Sequence, residues 1–271
     1  MKRIIGNKEY DLSKKTLVMG IINVTPDSFS DGGSYTNVEA AVTQAQKLAA
    51  EGADILDIGG ESTRPGYEPV PADEEIARVV PAIKAIKEVV DLPMSIDTYK
   101  AETAEAAVKA GASIINDIWG AKYDPDMAKV AAQLDVPIIL MHNRENADYN
   151  DLLPDMITDL EKSIQIVLDA GVKREDIWLD PGIGFVKSFD ENMSALRELD
   201  KITAMGYPVL LGTSRKRFIG TVLDLPADQR DEGTAATTAF GITKGIHMVR
   251  VHEVKQTARI VKMMDALVGK E

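Results

Sequence analysis

Apolar residues in this chain gather into short runs, each separated from the next by a longer amphipathic stretch. The runs lie at 16–22, 55–58, 94–96, 113–118, 138–141, 177–179, 209–211 and 248–251. They are too brief for helices and almost unbroken in apolar side chains, which suits parallel strands covered on both faces. Between them the spacing predicts helices over 40–51, 72–90, 152–170, about 191–205, 233–244 and 254–268, and one more opened by Asp124-Pro125 as N-cap and first helical residue. Thr36 and Glu39 read as a capping box ahead of the first helix. Gly52, Gly111, Gly171 and Gly206 each stand just before a strand, where a glycine can take the left-handed conformation that stops a helix. Residues 2–12 carry a Gly6-Asn7 turn between β-prone runs and read as a hairpin placed to plug the far end of a barrel.

Eight strand–helix units in this order predict an α/β fold, a (β/α)8 TIM barrel with a short N-terminal β-hairpin. An open doubly wound sheet has the same local grammar. The strand count and the length of 271 residues, close to the ~250 typical of such barrels, favour the barrel. No linker or low-complexity tract interrupts the pattern, so one domain is expected over 1–271, with 1–15 as the hairpin segment and 16–271 as the barrel.

Charge narrows the partners. With 31 Lys and Arg against 43 Asp and Glu, the net charge is -12, and a broad basic surface for nucleic acid or anionic membrane is not expected. A small anionic substrate remains compatible if cations gather locally. The absence of Cys excludes disulfides, thiolate metal sites and a thiol nucleophile. The first residues, MKRIIG, run too soon into charge to be a secretory segment, and no apolar run approaches ~18 residues. A cytoplasmic protein is the expectation.

The strand ends are polar where the strand bodies are apolar. The first strand breaks into Asn23 and a loop rich in Asp, Ser and Gly. The second runs into Gly59-Gly60-Glu61-Ser62-Thr63-Arg64-Pro65-Gly66, and the third ends at Asp97. Asn116-Asp117 ends the fourth, Met141-His142-Asn143 the fifth, and Asp180-Pro181-Gly182-Ile183-Gly184-Phe185 the sixth. Gly212-Thr213-Ser214-Arg215-Lys216-Arg217 follows the seventh, and Arg250-Val251-His252 closes the eighth with Arg250 and His252 on one face. Taken singly these have ordinary explanations, since Asp97 or Asp180 could cap a helix and Arg215-Lys216-Arg217 could be a solvated face. A barrel changes the weighting by bringing all eight ends to one rim. Asp97, Asn116, Asp180 and Lys216 then offer donors and acceptors for a flat heteroaromatic ring. Arg64, Arg250 and His252, with Asn23 as an oxygen ligand for a hard cation, suit an anion such as diphosphate. No His or Cys arrangement has zinc spacing, so magnesium is the metal to expect. His247 and His142 read as supporting groups, and Trp119 and Trp178 as packing residues.

The segment Met19–Gly33 (MGIINVTPDSFSDGG), followed in order by GGESTRPG, DPGIGF, GTSRK, GTAAT and RVH, resembles the dihydropteroate synthase family over nearly the whole chain. The resemblance implies condensation of 6-hydroxymethyl-7,8-dihydropterin diphosphate with 4-aminobenzoate to give 7,8-dihydropteroate and diphosphate. It assigns the pterin to Asp97, Asn116, Ile118, Met141, Asp180, Lys216 and Arg250. The diphosphate falls to Asn23, Arg64, Arg250 and His252, with Asn23 the ligand of Mg2+. The 4-aminobenzoate falls to Thr63, Pro65, Phe185, Ser214 and Lys216. Arg64, Lys216, Arg250 and His252 carry the catalysis. The implied partners are small molecules, with neither nucleic acid nor membrane, and a homodimer stays open. Two positions depart from the family pattern. Val186 stands where Gly is frequent, which predicts a different backbone path beside the benzoate site, and Glu253 stands where Asp is frequent. Two other readings compete: a pterin-binding methyltransferase barrel of the kind attached to cobalamin enzymes, and a non-catalytic binding barrel, against which Arg64, Arg250 and His252 argue.

Overall fold

The computed structural model describes residues 1–25, 34–61 and 69–270, with 34–36 described by backbone alone. The chain opens with an antiparallel hairpin, β1 (Lys2–Ile5) and β2 (Lys8–Asp11), turned at Gly6 with φ +60°. Eight parallel strands follow: β3 (Leu17–Asn23), β4 (Ile55–Gly59), β5 (Met94–Asp97), β6 (Ile114–Asp117), β7 (Ile138–Met141), β8 (Ile177–Asp180), β9 (Leu210–Leu211) and β10 (Met248–Val251). Each strand from β3 to β8 pairs with the next, β10 pairs with both β3 and β9, and a parallel bridge from Leu179 to Val209 joins the two remaining edges. The sheet therefore closes into a barrel rather than lying open. The helices are α1 (Ser34–Glu51), α2 (Ala72–Lys87), α3 (Ala101–Ala110), α4 (Met127–Leu134), α5 (Leu152–Asp169), α6 (Phe189–Arg197), α7 (Leu199–Thr203), α8 (Arg217–Leu223), α9 (Asp231–Thr243) and α10 (Val254–Leu267). Among the described residues no helix is long and apolar enough to cross a membrane.

Strand periodicity divides the core in two. Outward residues such as Val18, Ile22, Leu56, Ile58, Ile96, Leu140 and Val249 pack with the helices in one large cluster. Inward residues Leu17, Met19, Ile55, Ile114, Ile139, Trp178, Leu210 and Met248 form a second, sealed by Ile5 and Leu12 of the hairpin segment. The hairpin thus closes the N-terminal end of the barrel, and Trp178 is packing. Continuing two residues at a time along the same inward faces gives Asn23 after Met19 and Ile21, Asp57 after Ile55, Asn116 after Ile114, Met141 after Ile139, Asp180 after Trp178 and Arg250 after Met248. The interior is apolar at the bottom and polar at the top.

Several local expectations need correction. Helix α1 begins at Ser34, so Thr36 lies within it and is not its N-cap; the Thr36 side chain is outside the described residues. Asp124 does not cap α4, which starts at Met127. Its carboxylate accepts from Ala101 N at 2.8 Å and Asp126 N at 3.0 Å, capping α3 across the fold. The helix expected over 191–205 begins at Phe189 behind a Ser188–Glu191 capping box and breaks at Glu198 into α6 and α7. Helix α8 carries no mark in the sequence pattern, since its charged Arg215-Lys216-Arg217 entry reads as a solvated face. Val186 takes φ +45°, so the glycine-like backbone path is kept and a β-branched residue bears the strain, roughly 1–2 kcal/mol. Glu253 is the N-cap residue of α10 but makes no side-chain cap bond. The glycine helix stops stand as expected, with φ from +80° at Gly206 to +134° at Gly111.

The last helix is fastened to the first barrel strand by one buried carboxylate. Asp265 accepts from Thr16 N at 2.7 Å and Thr16 Oγ1 at 2.6 Å, and both residues are buried. Asp265→Ala strands two donors at the barrel floor and is expected to lower unfolding stability by about 2–3 kcal/mol. Urea denaturation checks this; a loss below about 0.5 kcal/mol would mean that water replaces the carboxylate at no cost.

Candidate active site

The polar rim is organised by Arg250. Its Nε donates to Asp57 Oδ2 at 2.5 Å and its Nη2 to Asp97 Oδ2 at 2.6 Å, so one guanidinium spans carboxylates from β4 and β5. Asp57 is fully buried, and Asp97 and Asn116 nearly so. Asn116 Nδ2 stands 3.5 Å from Asp57 Oδ2. Two carboxylates share one cation, and Asp97 shows the imbalance. Burial, against the pull of Arg250 and with Asp57 and other carboxylates pushing the same way, raises Asp97 to about 7. Arg250 is held firmly charged: burial opposes its charge, and Asp57 and Asp97 more than offset that. Asp57 Oδ1 and Asp97 Oδ1 are buried with no hydrogen-bond partner among the described residues.

Asp180 ends β8 on the next inward face. Its Oδ1 accepts from Gly182 N at 2.7 Å, and burial raises its pKa, with Lys216 the main opposing influence. Gly182 has φ +63°, and a Cβ there would stand 2.0 Å from His142 O, so no other residue fits. The cationic run splits three ways. Arg215, at φ +57°, pairs with Asp231 through Nε at 2.8 Å and Nη2 at 2.9 Å. Arg217 is exposed. Lys216 turns inward, donating to Ile183 O and lying 4.6 Å from the Phe185 ring centroid, and burial lowers it to about 8. Ser214 Oγ accepts from His252 N at 3.2 Å and contacts His252 Nδ1 at 2.9 Å.

The structure thus brings Asp97, Asn116, Asp180, Lys216 and Arg250 to one rim, with Ile118 just past the end of β6, Met141 at the end of β7, and Ser214 against His252. Asn23 is half-buried at the end of β3, level with Gly59 of β4. Thr63, Arg64 and Pro65 lie outside the described residues. Their flanks are tied together, since Glu61 accepts from Val70 N at 2.9 Å and Tyr99 OH at 2.8 Å and pairs with Lys100. Asp57 was missed. It sits inside the run Ile55–Gly59, and only its alternation with Ile55 and Gly59 could have placed it inward. Its neighbour in kind, Asp117, points the other way and caps a turn through Trp119 N at 2.8 Å and Ala121 N at 2.7 Å.

Two histidines hold supporting places. His247 Nδ1 accepts from Val209 N at 3.1 Å, and burial lowers it to about 4. His142 is buried on the outward side of β7, facing Lys187 and Asp159.

The profile of the pterin binding enzyme family matches residues 19–252. A dihydropteroate synthase of Bacillus subtilis is 58% identical over 99% of this chain and 95% of its own length. A crystal structure of dihydropteroate synthase from Clostridium difficile, in the presence of pteroic acid, superposes with a TM-score of 0.94 at 47% identity, covering 95% of this chain and 98% of the other. The enzyme of Xanthomonas albilineans with 4-aminobenzoic acid superposes with a TM-score of 0.93 at 41% identity over 98% of both chains. A family profile spanning the barrel, and relatives this similar along nearly the whole length, establish that the chain belongs to the dihydropteroate synthase family of pterin-binding enzymes.

Proposed function

We propose that this rim holds a dihydropterin methyl diphosphate beside 4-aminobenzoate and joins them into 7,8-dihydropteroate with release of diphosphate, the dihydropteroate synthase reaction of folate biosynthesis. The observation that carries the reading is the pair of orphaned buried oxygens, Asp57 Oδ1 and Asp97 Oδ1. A buried acceptor without a donor costs about 1–3 kcal/mol, and a flat ring edged with amino and imide N–H groups supplies such donors. Asn116 adds a donor and an acceptor beside them. Pteroic acid and 4-aminobenzoic acid, the ligands of the Clostridium and Xanthomonas structures, correspond to a joined pterin–benzoate product and to one reactant of that chemistry.

On this reading Asp97, Asn116, Asp180 and Lys216 bind the pterin, with Ile118 and Met141 along the ring and Arg250 over it. Thr63, Pro65, Phe185, Ser214 and Lys216 line the benzoate site, and Asn23, Arg64, Arg250 and His252 hold the diphosphate. The aniline nitrogen attacks the exocyclic methylene. The C–N bond forms as the C–O bond breaks, the electron pair leaves on diphosphate, and the nitrogen releases a proton. Since an aniline is unprotonated near neutral pH, no general base is needed to start. Charge grows on the departing oxygen, so Arg250, held in place by Asp57 and Asp97, and His252, held by Ser214, bind the transition state more tightly than the ground state.

Magnesium fits the donors available. It keeps several waters and takes few protein oxygens beside substrate phosphates, and Asn23, an amide where a carboxylate is usual, would offer one such oxygen at the end of β3. When bound, the ion would neutralise charge on the diphosphate.

Incubation with the pterin diphosphate, magnesium and 4-aminobenzoate is expected to yield dihydropteroate and diphosphate in equal amounts. Diphosphate release that ignores 4-aminobenzoate, or no turnover, would overturn the assignment. Arg250→Lys keeps one charge but loses the fork that spans Asp57 and Asp97, so kcat is expected to fall by about a hundredfold in a protein that stays folded. A change smaller than about threefold would remove Arg250 from the chemistry.

A further inference from the structure

Lys187 follows the strained Val186 in the turn between β8 and α6, and no role above uses it. Its Nζ stands 3.0 Å from Gly182 O, 3.2 Å from Phe185 O and 3.0 Å from His142 Nδ1. An ammonium has three N–H donors and no acceptor, and here three acceptors receive them. No carboxylate lies within ion-pair distance of it among the described residues. Burial lowers it to about 7, with Lys216 the next influence. Such a cation is costly to keep, yet its contacts all converge on one turn.

That turn is unusual in its backbone. Gly182, Gly184 and Val186 have φ of +63°, +86° and +45°, and left-handed steps at alternate residues swing successive carbonyls to different sides. Lys187 takes those of Gly182 and Phe185, Lys216 takes that of Ile183, and Tyr149 OH donates to Val186 O at 3.0 Å. Two ammonium groups thus grip the turn. One end of it is pinned to Asp180 through Gly182 N, and the other carries the Phe185 ring against Lys216.

Lys187 is itself held from behind. Its contact with His142 Nδ1 requires that nitrogen to accept, which puts the imidazole proton on Nε2, near Asp159 Oδ2 at 3.4 Å but not hydrogen-bonded to it. The ring is neutral, since burial, then the charge of Lys187, lowers it to about 3. Asp159 is fixed in turn by Arg144 and by Lys162 at 3.2 Å.

We propose that Lys187 is the positioning residue of the 4-aminobenzoate site: anchored on His142, it fixes the Gly182–Val186 turn and so sets the Phe185 ring against Lys216. The inference rests on the synthase reading, and wild-type turnover tests that reading separately. Steady-state kinetics would compare wild type with Lys187→Met, His142→Leu, His142→Gln and the Lys187→Met/His142→Leu pair. In Lys187→Met, KM for 4-aminobenzoate is expected to rise about tenfold, while kcat and KM for the pterin diphosphate change by less than about threefold. His142→Leu should raise the same KM, His142→Gln, which keeps an acceptor, should restore it, and the double variant should be no worse than Lys187→Met. An unchanged 4-aminobenzoate KM in Lys187→Met, equal rises for both substrates, or additive effects in the pair would overturn the proposal. Should Lys187→Met fail to fold, His142→Leu and His142→Gln decide it, and equal KM values in those two would overturn it. An inactive wild type would sink the synthase reading instead.

Discussion

The interaction on which the site depends is the grip of Asp57 and Asp97 on the Arg250 guanidinium. Breaking a buried ion pair on one side typically costs about 3–5 kcal/mol because the other charge is left stranded, so these three residues define each other's positions. They can be buried together because the barrel beneath is already filled. Trp178, Met19, Ile55 and Met248 form a dry floor closed by Ile5 and Leu12, and the polar residues continue upward on those same inward faces. With two carboxylates to one cation, the cluster keeps an excess of acceptors, the condition that a ring with N–H edges relieves.

The chain is acidic overall, at -12, yet its rim gathers the cationic side chains of Lys216 and Arg250, with Lys187 behind them. Net charge describes the bulk surface and says little about one cavity.

Much of this was legible in the sequence because a barrel strand is written in two alternating faces. The eight apolar runs, their polar ends and the glycine helix stops are local features, and they gave the strands, the rim and the hairpin plug. What escaped depends on distance in space. Asp57 looked like the middle of an apolar run because depth along a strand decides whether an inward residue is floor or site. Asp124 caps α3 rather than the helix it precedes, a choice set by how two neighbouring helices pack. Val186 was expected to divert the backbone, but the contacts of Gly182, Phe185 and Tyr149 hold the turn in place and the valine yields. The motifs identified the family, whereas the grip of Lys187 on the turn has no signature in sequence at all.

The central claim is that Asp57 and Asp97 share the charge of Arg250, and the carbon-13 resonance of the Asp97 carboxyl group tests it directly. Followed through a pH titration of ligand-free protein, Asp97 is expected to titrate near about 7. In Asp57→Asn the neighbouring negative charge is removed and the guanidinium is left to Asp97 alone, so the midpoint should fall, while burial keeps it above the ordinary carboxylate range. An ordinary carboxylate midpoint in the wild type, or one that Asp57→Asn leaves in place, would contradict the account.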